Sequence, residues 1–293
     1  MMLKVGGLNL GNPVMLASGI LGSYVSSLNR IAEHAGAVVT KSVGLKGREG
    51  YKNPCVLKLE CGFLNAVGLA SPPARDFARE LEGFNRLCPL IVSLFGSSPE
   101  EFKELVEIFE VADAFELNFS CPHAKGLGLE VGMDFDLVYE IVKTLKGKTE
   151  KPVFAKLSAN LDYVELAKVC ESAGVDGVVV TNTLRGLAID IVAKKPILSN
   201  VSGGLSGKAI KPIALKCVWD LFEEVEVPVI GCGGISNWKD VVEFMLAGAV
   251  AVQVGSIFYY GYDVIQKILE GLKSYLRINR LSLDEIVGLA HKR

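Results

Sequence analysis

Residues 116–126, ELNFSCPHAKG, bring a carboxylate, an amide, a hydroxyl, an imidazole and a lysine close to one thiol, Cys121. In an extended chain the side chains alternate, so Ala114, Glu116 and Asn118 share one face. Pro122 stops the strand, and Gly126 and Gly128 loosen the loop that follows. Cys121 therefore sits just past a strand end. Most free cysteines act as small buried hydrophobes. A thiol outside any apolar run and flanked by hydrogen-bonding residues is instead placed like a reactive one.

Two lysines close apolar runs, Lys41 in VVTK and Lys156 in VFAK. Lysine is seldom buried without a partner and more often snorkels to water. Two lysines at equivalent positions point instead to a shared anionic or electron-accepting ligand. Two glycine turns, GCGGI at residues 231–235 and VGSIF at residues 254–258, each lead from an apolar run into a helical pattern. Glycine admits close backbone approach, and free N–H groups at a helix start bind phosphate. No G-x-G-x-x-G follows the first strand candidate, so a Rossmann-bound dinucleotide is not indicated.

Eight short apolar runs must carry these groups: residues 14–17, 37–41, 90–94, 113–118, 153–157, 177–181, 229–231 and 250–254. Helical periodicity lies between them, at residues 99–109, 134–146, 163–173, 208–224 and 238–247. Near-continuous Val, Ile and Ala suit strands buried on both faces, and eight βα units predict a parallel (β/α)8 TIM barrel. The odd-numbered strands open with Pro13, Pro89, Pro152 and Pro228, and the even ones follow small-residue joints, which hints at a two-strand repeat. An open doubly wound sheet is the rival, but nothing marks the reversal of strand order it needs. Residues 3–10 read as a small N-terminal β-hairpin turning at Gly6-Gly7. The long connections at residues 42–71 and 182–207 read as functional loops. No linker interrupts residues 1–293, which predicts a single domain.

The barrel places the chemistry at one end, because its active sites lie at the C-terminal ends of the strands. Composition excludes other classes. The 293 residues are half hydrophobic and carry a net charge of -2, with no basic block for nucleic acid or a membrane surface. No apolar segment approaches the ~20 residues that span a bilayer, and the N-terminus is too short and interrupted for a signal peptide. The seven cysteines are odd in number, with no C-x-x-C pair, which argues against disulfides, zinc and an iron–sulfur site within this chain. A cytoplasmic protein is expected.

ELNFSCPH, NAVGL at residues 65–69, AKLSAN, TNTLRG, GGLSGKAIKP and GCGGI resemble, in order and spacing, the class 1 dihydroorotate dehydrogenases. The resemblance runs from ASGILGS at residues 17–23 to the eighth strand. It implies a flavin mononucleotide (FMN) barrel that oxidises dihydroorotate to orotate in pyrimidine synthesis. By motif, Cys121 would be the catalytic base. Lys41 and Asn118 would contact both flavin and substrate, and Lys156 would lie by the flavin ring. Asn65, Ala66, Val67, Gly68, Leu69, Asn182 and Thr183 would bind the pyrimidine. Ser18, Ser42, Ser93, Thr181, Gly207, Gly233, Gly234, Gly255 and Ser256 would bind FMN, the last four around its phosphate. No metal is implied.

The chemistry is consistent with that resemblance. Desaturating a ring C–C bond needs a base for one carbon and a hydride acceptor facing the other. A thiol with a reference pKa near ~8.5 serves as that base at mildly alkaline pH. Many members read SCPN, whereas this chain has His123, as in SCPH of dihydropyrimidine dehydrogenases. Reduction of a uracil-type ring is therefore an alternative, as is fumarate-linked oxidation of dihydroorotate. A non-catalytic flavin carrier would have no use for Cys121. The serine-base class has an N-terminal membrane extension, and this chain shows neither that serine nor the extension. Its motifs resemble the NAD-linked subclass, which implies a partner subunit carrying FAD and a 2Fe-2S cluster in a heterotetramer built on a homodimer. His34 and His291 read as ordinary surface residues. Phe258, Tyr259, Tyr260 and Tyr262 read as packing for the last helix.

Overall fold

The computed structural model describes residues 2–120 and 128–292. Eight parallel strands close into a barrel in chain order: β1 (Val14–Leu16), β2 (Val38–Val39), β3 (Leu90–Leu94), β4 (Ala114–Asn118), β5 (Val153–Lys156), β6 (Gly177–Val180), β7 (Val229–Cys232) and β8 (Ala251–Val254). A helix follows each: α1 (Val25–Ala32), α2 (Ala74–Leu81), α3 (Pro99–Ile108), α4 (Phe135–Lys146), α5 (Tyr163–Ser172), α6 (Lys211–Glu224), α7 (Trp238–Leu246) and α8 (Val264–Asn279). The TIM barrel expected from the alternation is present, and the open sheet is excluded by closure of β8 onto β1.

The proline pattern has a structural cause. Proline donates no N–H, but its carbonyl still accepts. Pro13, Pro89, Pro152 and Pro228 each take the first ladder bond from a neighbouring even strand, at Val252, Val38, Phe115 and Val178. The carboxylates of Asp113 and Asp176, which precede β4 and β6, accept from the first N–H of β3 and β5, Leu90 and Val153. The repeat unit is thus a strand pair stitched at its base.

Two packed layers make the core. Val14, Leu16, Val38, Leu90, Val92 and their counterparts point outward to the helices, whose apolar faces cover them. Inside the barrel, Met15, Val39, Ile91, Ala114, Phe154, Val179, Ile230 and Ala251 pack in one apolar cluster. Val5, Leu8 and Leu10 of the antiparallel hairpin Leu3–Val5/Leu8–Leu10 plug the end below them. The hairpin turns at Gly6 and Gly7 as expected.

The structure differs from the sequence reading in two places. Strand β2 is shorter than expected: Thr40 still donates to the Ile91 carbonyl of β3 at 2.9 Å, but on the opposite edge the Lys41 N–H turns to the Gly22 carbonyl at 3.0 Å. That approach requires glycine: a Cβ at Gly22 would lie 2.6 Å from the Lys41 nitrogen. The two long connections are not plain loops either. Val56–Leu59, Gly62–Asn65, Leu184–Leu187 and Ser202–Ser206 form a four-stranded antiparallel sheet. Asn65 in this sheet and Lys41 at the end of β2 line one cavity, which puts the sheet at the barrel mouth. Each connection alone is a hairpin with weak alternation. Pairing between them, 139 residues apart at Asn65 and Gly204, makes the sheet.

Candidate active site

Above the apolar cluster, the inward positions turn polar. Ser93, Glu116, Lys156, Thr181 and Gln253 are all buried. Glu116, Lys156, Thr181 and Gln253 form the floor and wall of a cavity of about 410 Å³ that opens at the C-terminal ends of the strands. Lys156 is only 5% exposed, so it does not snorkel outward. Its Nζ donates to Gln253 Oε1 at 2.6 Å, and Gln253 Nε2 donates to Glu116 Oε2 at 2.6 Å. Lys41 lines the same cavity from the end of β2.

A chain of hydrogen bonds crosses the mouth. Ser18 Oγ donates to the Thr40 carbonyl at 2.8 Å and lies 3.3 Å from Ser42 Oγ. Asn118 Nδ2 donates to Ser42 Oγ at 3.0 Å, and Asn118 Oδ1 accepts from Ser120 Oγ at 2.9 Å. Asn182 Nδ2 donates to Ser120 Oγ at 2.8 Å. These contacts settle which end of the Asn118 amide is nitrogen, since Ser120 N–H also donates to its oxygen. Both asparagines are thus held in one orientation before any ligand arrives.

At another side of the cavity, Gly207, Gly233, Gly234, Gly255 and Ser256 bring backbone close to the empty space. Gly234 has φ of +75°, and a Cβ there would meet the backbone nitrogen of Lys211 at 2.6 Å. The start of α6 therefore packs directly on this turn. Helix α7 is anchored beside it by a reciprocal cap. Asn237 Oδ1 accepts from Asp240 N–H, and the Asp240 carboxylate accepts from the N–H groups of Ser236 and Asn237. Lys211 Nζ bridges Asp240 and Glu243 at 2.9 and 2.8 Å, tying α6 to α7 behind the glycines.

The sequence-derived set falls out as follows. Ser18, Lys41, Ser42, Asn65, Val67, Gly68, Leu69, Asn118, Lys156, Thr181, Asn182, Thr183, Gly207, Gly233, Gly234, Gly255 and Ser256 all line this cavity. Ser93 and Ala66 do not. Ser93 lies behind Ser42, its hydroxyl 2.8 Å from Ser42 Oγ. Ala66 turns away between Asn65 and Val67 and packs with Leu64 and Leu198. Cys121 and His123 lie outside the described residues.

Sequence reasoning missed Gln253, Cys232, Phe63, Ser206 and Tyr259 as lining residues, and named Glu116 without giving it a role. For Gln253 a signal was present: it is the single polar residue of AVQV and shares a face with Gly255 at period two. Two other expectations need correction. Tyr259 and Tyr260 are 62% and 67% exposed, and Tyr259 meets Phe63 at the cavity rim, so they do not pack the last helix. His291 is not an ordinary surface residue. Its ring stacks on Trp219 at 3.6 Å and contacts Glu223 and the Ala247 carbonyl.

A closed (β/α)8 barrel whose mouth holds two lysines, a fixed run of amides and hydroxyls, and two glycine turns defines a ligand-binding barrel built for an anionic, planar, hydrogen-bonding guest. The dihydroorotate dehydrogenase family model matches residues 1–276, and the chain belongs to that family. It is 57% identical over 292 residues to "Dihydroorotate dehydrogenase B (NAD(+)), catalytic subunit" of Archaeoglobus fulgidus, covering 98% of each chain. The protein of the same name from Methanocaldococcus jannaschii is 50% identical over 295 residues, covering 98% of this chain and 96% of that one. Among solved structures, a dihydroorotate dehydrogenase from Eimeria tenella in complex with ferulenol matches with a TM-score of 0.82 at 22% identity. It covers 100% of this chain and 89% of that one, and so shares the fold.

Proposed function

We propose that the protein oxidises dihydroorotate to orotate in pyrimidine biosynthesis, with FMN as the resident cofactor and Cys121 as the base. The observation that carries this reading is the meeting of Lys41, Lys156, Asn65, Asn118 and Asn182 with two glycine turns around one cavity, in a chain of this family. The residues fit the cofactor. The cavity, about 410 Å³, lies in the ~300–1,000 Å³ range of small-molecule sites. Its donors suit an anion at the glycine turns and a hydrogen-bonding ring along the asparagines.

The roles of the chain's own residues follow from this chemistry. Gly233, Gly234, Gly255 and Ser256 would hold the phosphate, with Ser18, Ser42, Thr181 and Gly207 along the rest of the cofactor. Asn65, Val67, Gly68, Leu69, Asn182 and Thr183 hold the pyrimidine edge, each amide offering both a donor and an acceptor. Lys41 faces the negative charge of the substrate carboxylate. The Cys121 thiolate takes the proton from one ring carbon as the other loses hydride, and the C–H electrons of the first become the new C=C bond. Bound FMN would supply the hydride acceptor at that carbon. Lys156 stabilises the negative charge that accumulates in the cavity.

Electrons leave to NAD through a partner subunit carrying FAD and a 2Fe-2S cluster, and two copies of this chain form the homodimer at the centre of a heterotetramer. The relatives named as NAD-linked catalytic subunits favour this route over fumarate and over uracil-type reduction. Among the described residues no helix is long and apolar enough to cross a membrane.

Anaerobic mixing with dihydroorotate tests the reading. Bleaching of the bound flavin within one turnover is expected. A flavin-loaded protein bleached by a reduced uracil ring but not by dihydroorotate would overturn the substrate assignment.

A further inference from the structure

Glu116, Gln253 and Lys156 come from β4, β8 and β5, and all three line the cavity. Strands β4 and β8 stand opposite one another in the ring, so the Gln253 side chain crosses the barrel floor to join them. The residues are 1%, 1% and 5% exposed. Lysine only donates and a carboxylate only accepts, so the amide between them can point only one way, oxygen to Lys156 and nitrogen to Glu116. The glutamine amide accepts from the ammonium and donates to the carboxylate at once, through separate atoms.

A purely structural reason for this trio is poor. A buried ion pair generally stabilises less than apolar residues of the same volume, and a buried polar atom without a partner is destabilising. Among the described residues Glu116 Oε1 is buried and has no hydrogen-bond partner. The carboxylate therefore sits at the cavity floor, separated from the ammonium by one amide.

We propose that Gln253 and Glu116 are positioning residues for Lys156. Gln253 aims the ammonium into the cavity, and the Glu116 charge, held one amide away, sets how strongly that ammonium stabilises negative charge on a bound flavin. The inference rests on the FMN reading above. It gives the trio a measurable output, the reduction potential of the flavin, with no need for either residue to touch substrate.

Two variants test it on the flavin-loaded protein. Glu116→Gln removes the opposing charge with little change of shape. The flavin midpoint potential should rise, and sulfite, an anion that adds to flavins in proportion to nearby positive charge, should bind severalfold more tightly. The double variant Glu116→Gln with Gln253→Glu keeps every charge but brings the carboxylate directly onto Lys156. Here the potential should fall and sulfite binding should weaken severalfold relative to the parent protein. A merely structural role would change thermal stability while leaving both readouts in place, and that result overturns the proposal. If the single variant does not fold, the charge-conserving swap decides alone, and an absent or upward shift overturns it. Parent protein that takes up no FMN sinks the cofactor reading and this inference together. Flavin-bound variants with unmoved potentials sink this inference only.

Discussion

At the residue scale, burial marks three of the described cysteines as chemically idle. Burial pushes the Cys88 thiol up to about 12, with the Asp113 charge adding to it. Burial likewise lifts Cys217 to about 11 and raises Cys170 further. These three remain protonated thiols at neutral pH and act as core packing. Cys121 follows Ser120 in the chain, and Ser120 is fixed by Asn118 and Asn182. Cys121→Ser should keep flavin and bind orotate, yet slow flavin reduction by orders of magnitude at pH 7, because a hydroxyl yields far less base than a thiol. The parent rate should rise with pH as the thiol ionises, and the variant profile should move to higher pH. Single-turnover reduction measures this step apart from the electron acceptor. Equal rates across pH 6 to 9 would return Cys121 to a packing role.

At the scale of the element, the glycine turns depend on the helices that follow them. A side chain at Gly234 would strike the start of α6, so a substitution there tests folding as much as cofactor retention. Gly255 is the cleaner probe, since a Cβ would meet only the Ile20 and Ala17 side chains at 3.3 and 3.4 Å. Gly255→Ala should weaken FMN retention, read by equilibrium dialysis, with the melting temperature little changed. The α7 cap makes a separate prediction. Burial alone would raise the Asp240 carboxyl, but Lys211 and the Ser236 hydroxyl and N–H outweigh it and hold the group below its ordinary value. A depressed folded-state pKa stabilises above the unfolded value of ~3.9, and that gain is lost as pH falls through the lower folded value. Asp240→Ala should cost about 2 kcal/mol at pH 7 in urea unfolding, and the deficit should shrink below pH ~4. A deficit independent of pH would show that the charge contributes nothing.

Across the whole molecule, the barrel separates stability from chemistry by its two ends. Leu10 is 2% exposed in the hairpin that plugs the base, and the cavity opens at the other end. Leu10→Ala should destabilise by ~2–5 kcal/mol in urea unfolding while single-turnover flavin reduction keeps its parent rate. A slowed reduction in the folded variant would show that the plug and the mouth are coupled. The same division explains the polar level at the mouth. The eight strands bury apolar side chains toward the helices all round, so the inward positions near the C-terminal ends are free to carry Lys156, Glu116 and Gln253.

The barrel was legible from residue order alone, because strands buried on both faces must be apolar throughout and prolines can only open them. Most of the cavity lining was legible too: Lys41, Asn118, Lys156 and the glycine turns sit at strand ends, and strand ends converge in a closed barrel. Sequence carried no sign that Ser93 stands behind Ser42 or that Ala66 turns into a small core, since neighbours in a motif share a loop but not a direction. Nor could it show the sheet over the mouth, whose pairing joins segments 139 residues apart. The Glu116–Gln253–Lys156 bridge is likewise a product of closure. Its three residues lie on different strands, and only the ring geometry brings one amide within 2.6 Å of both charges.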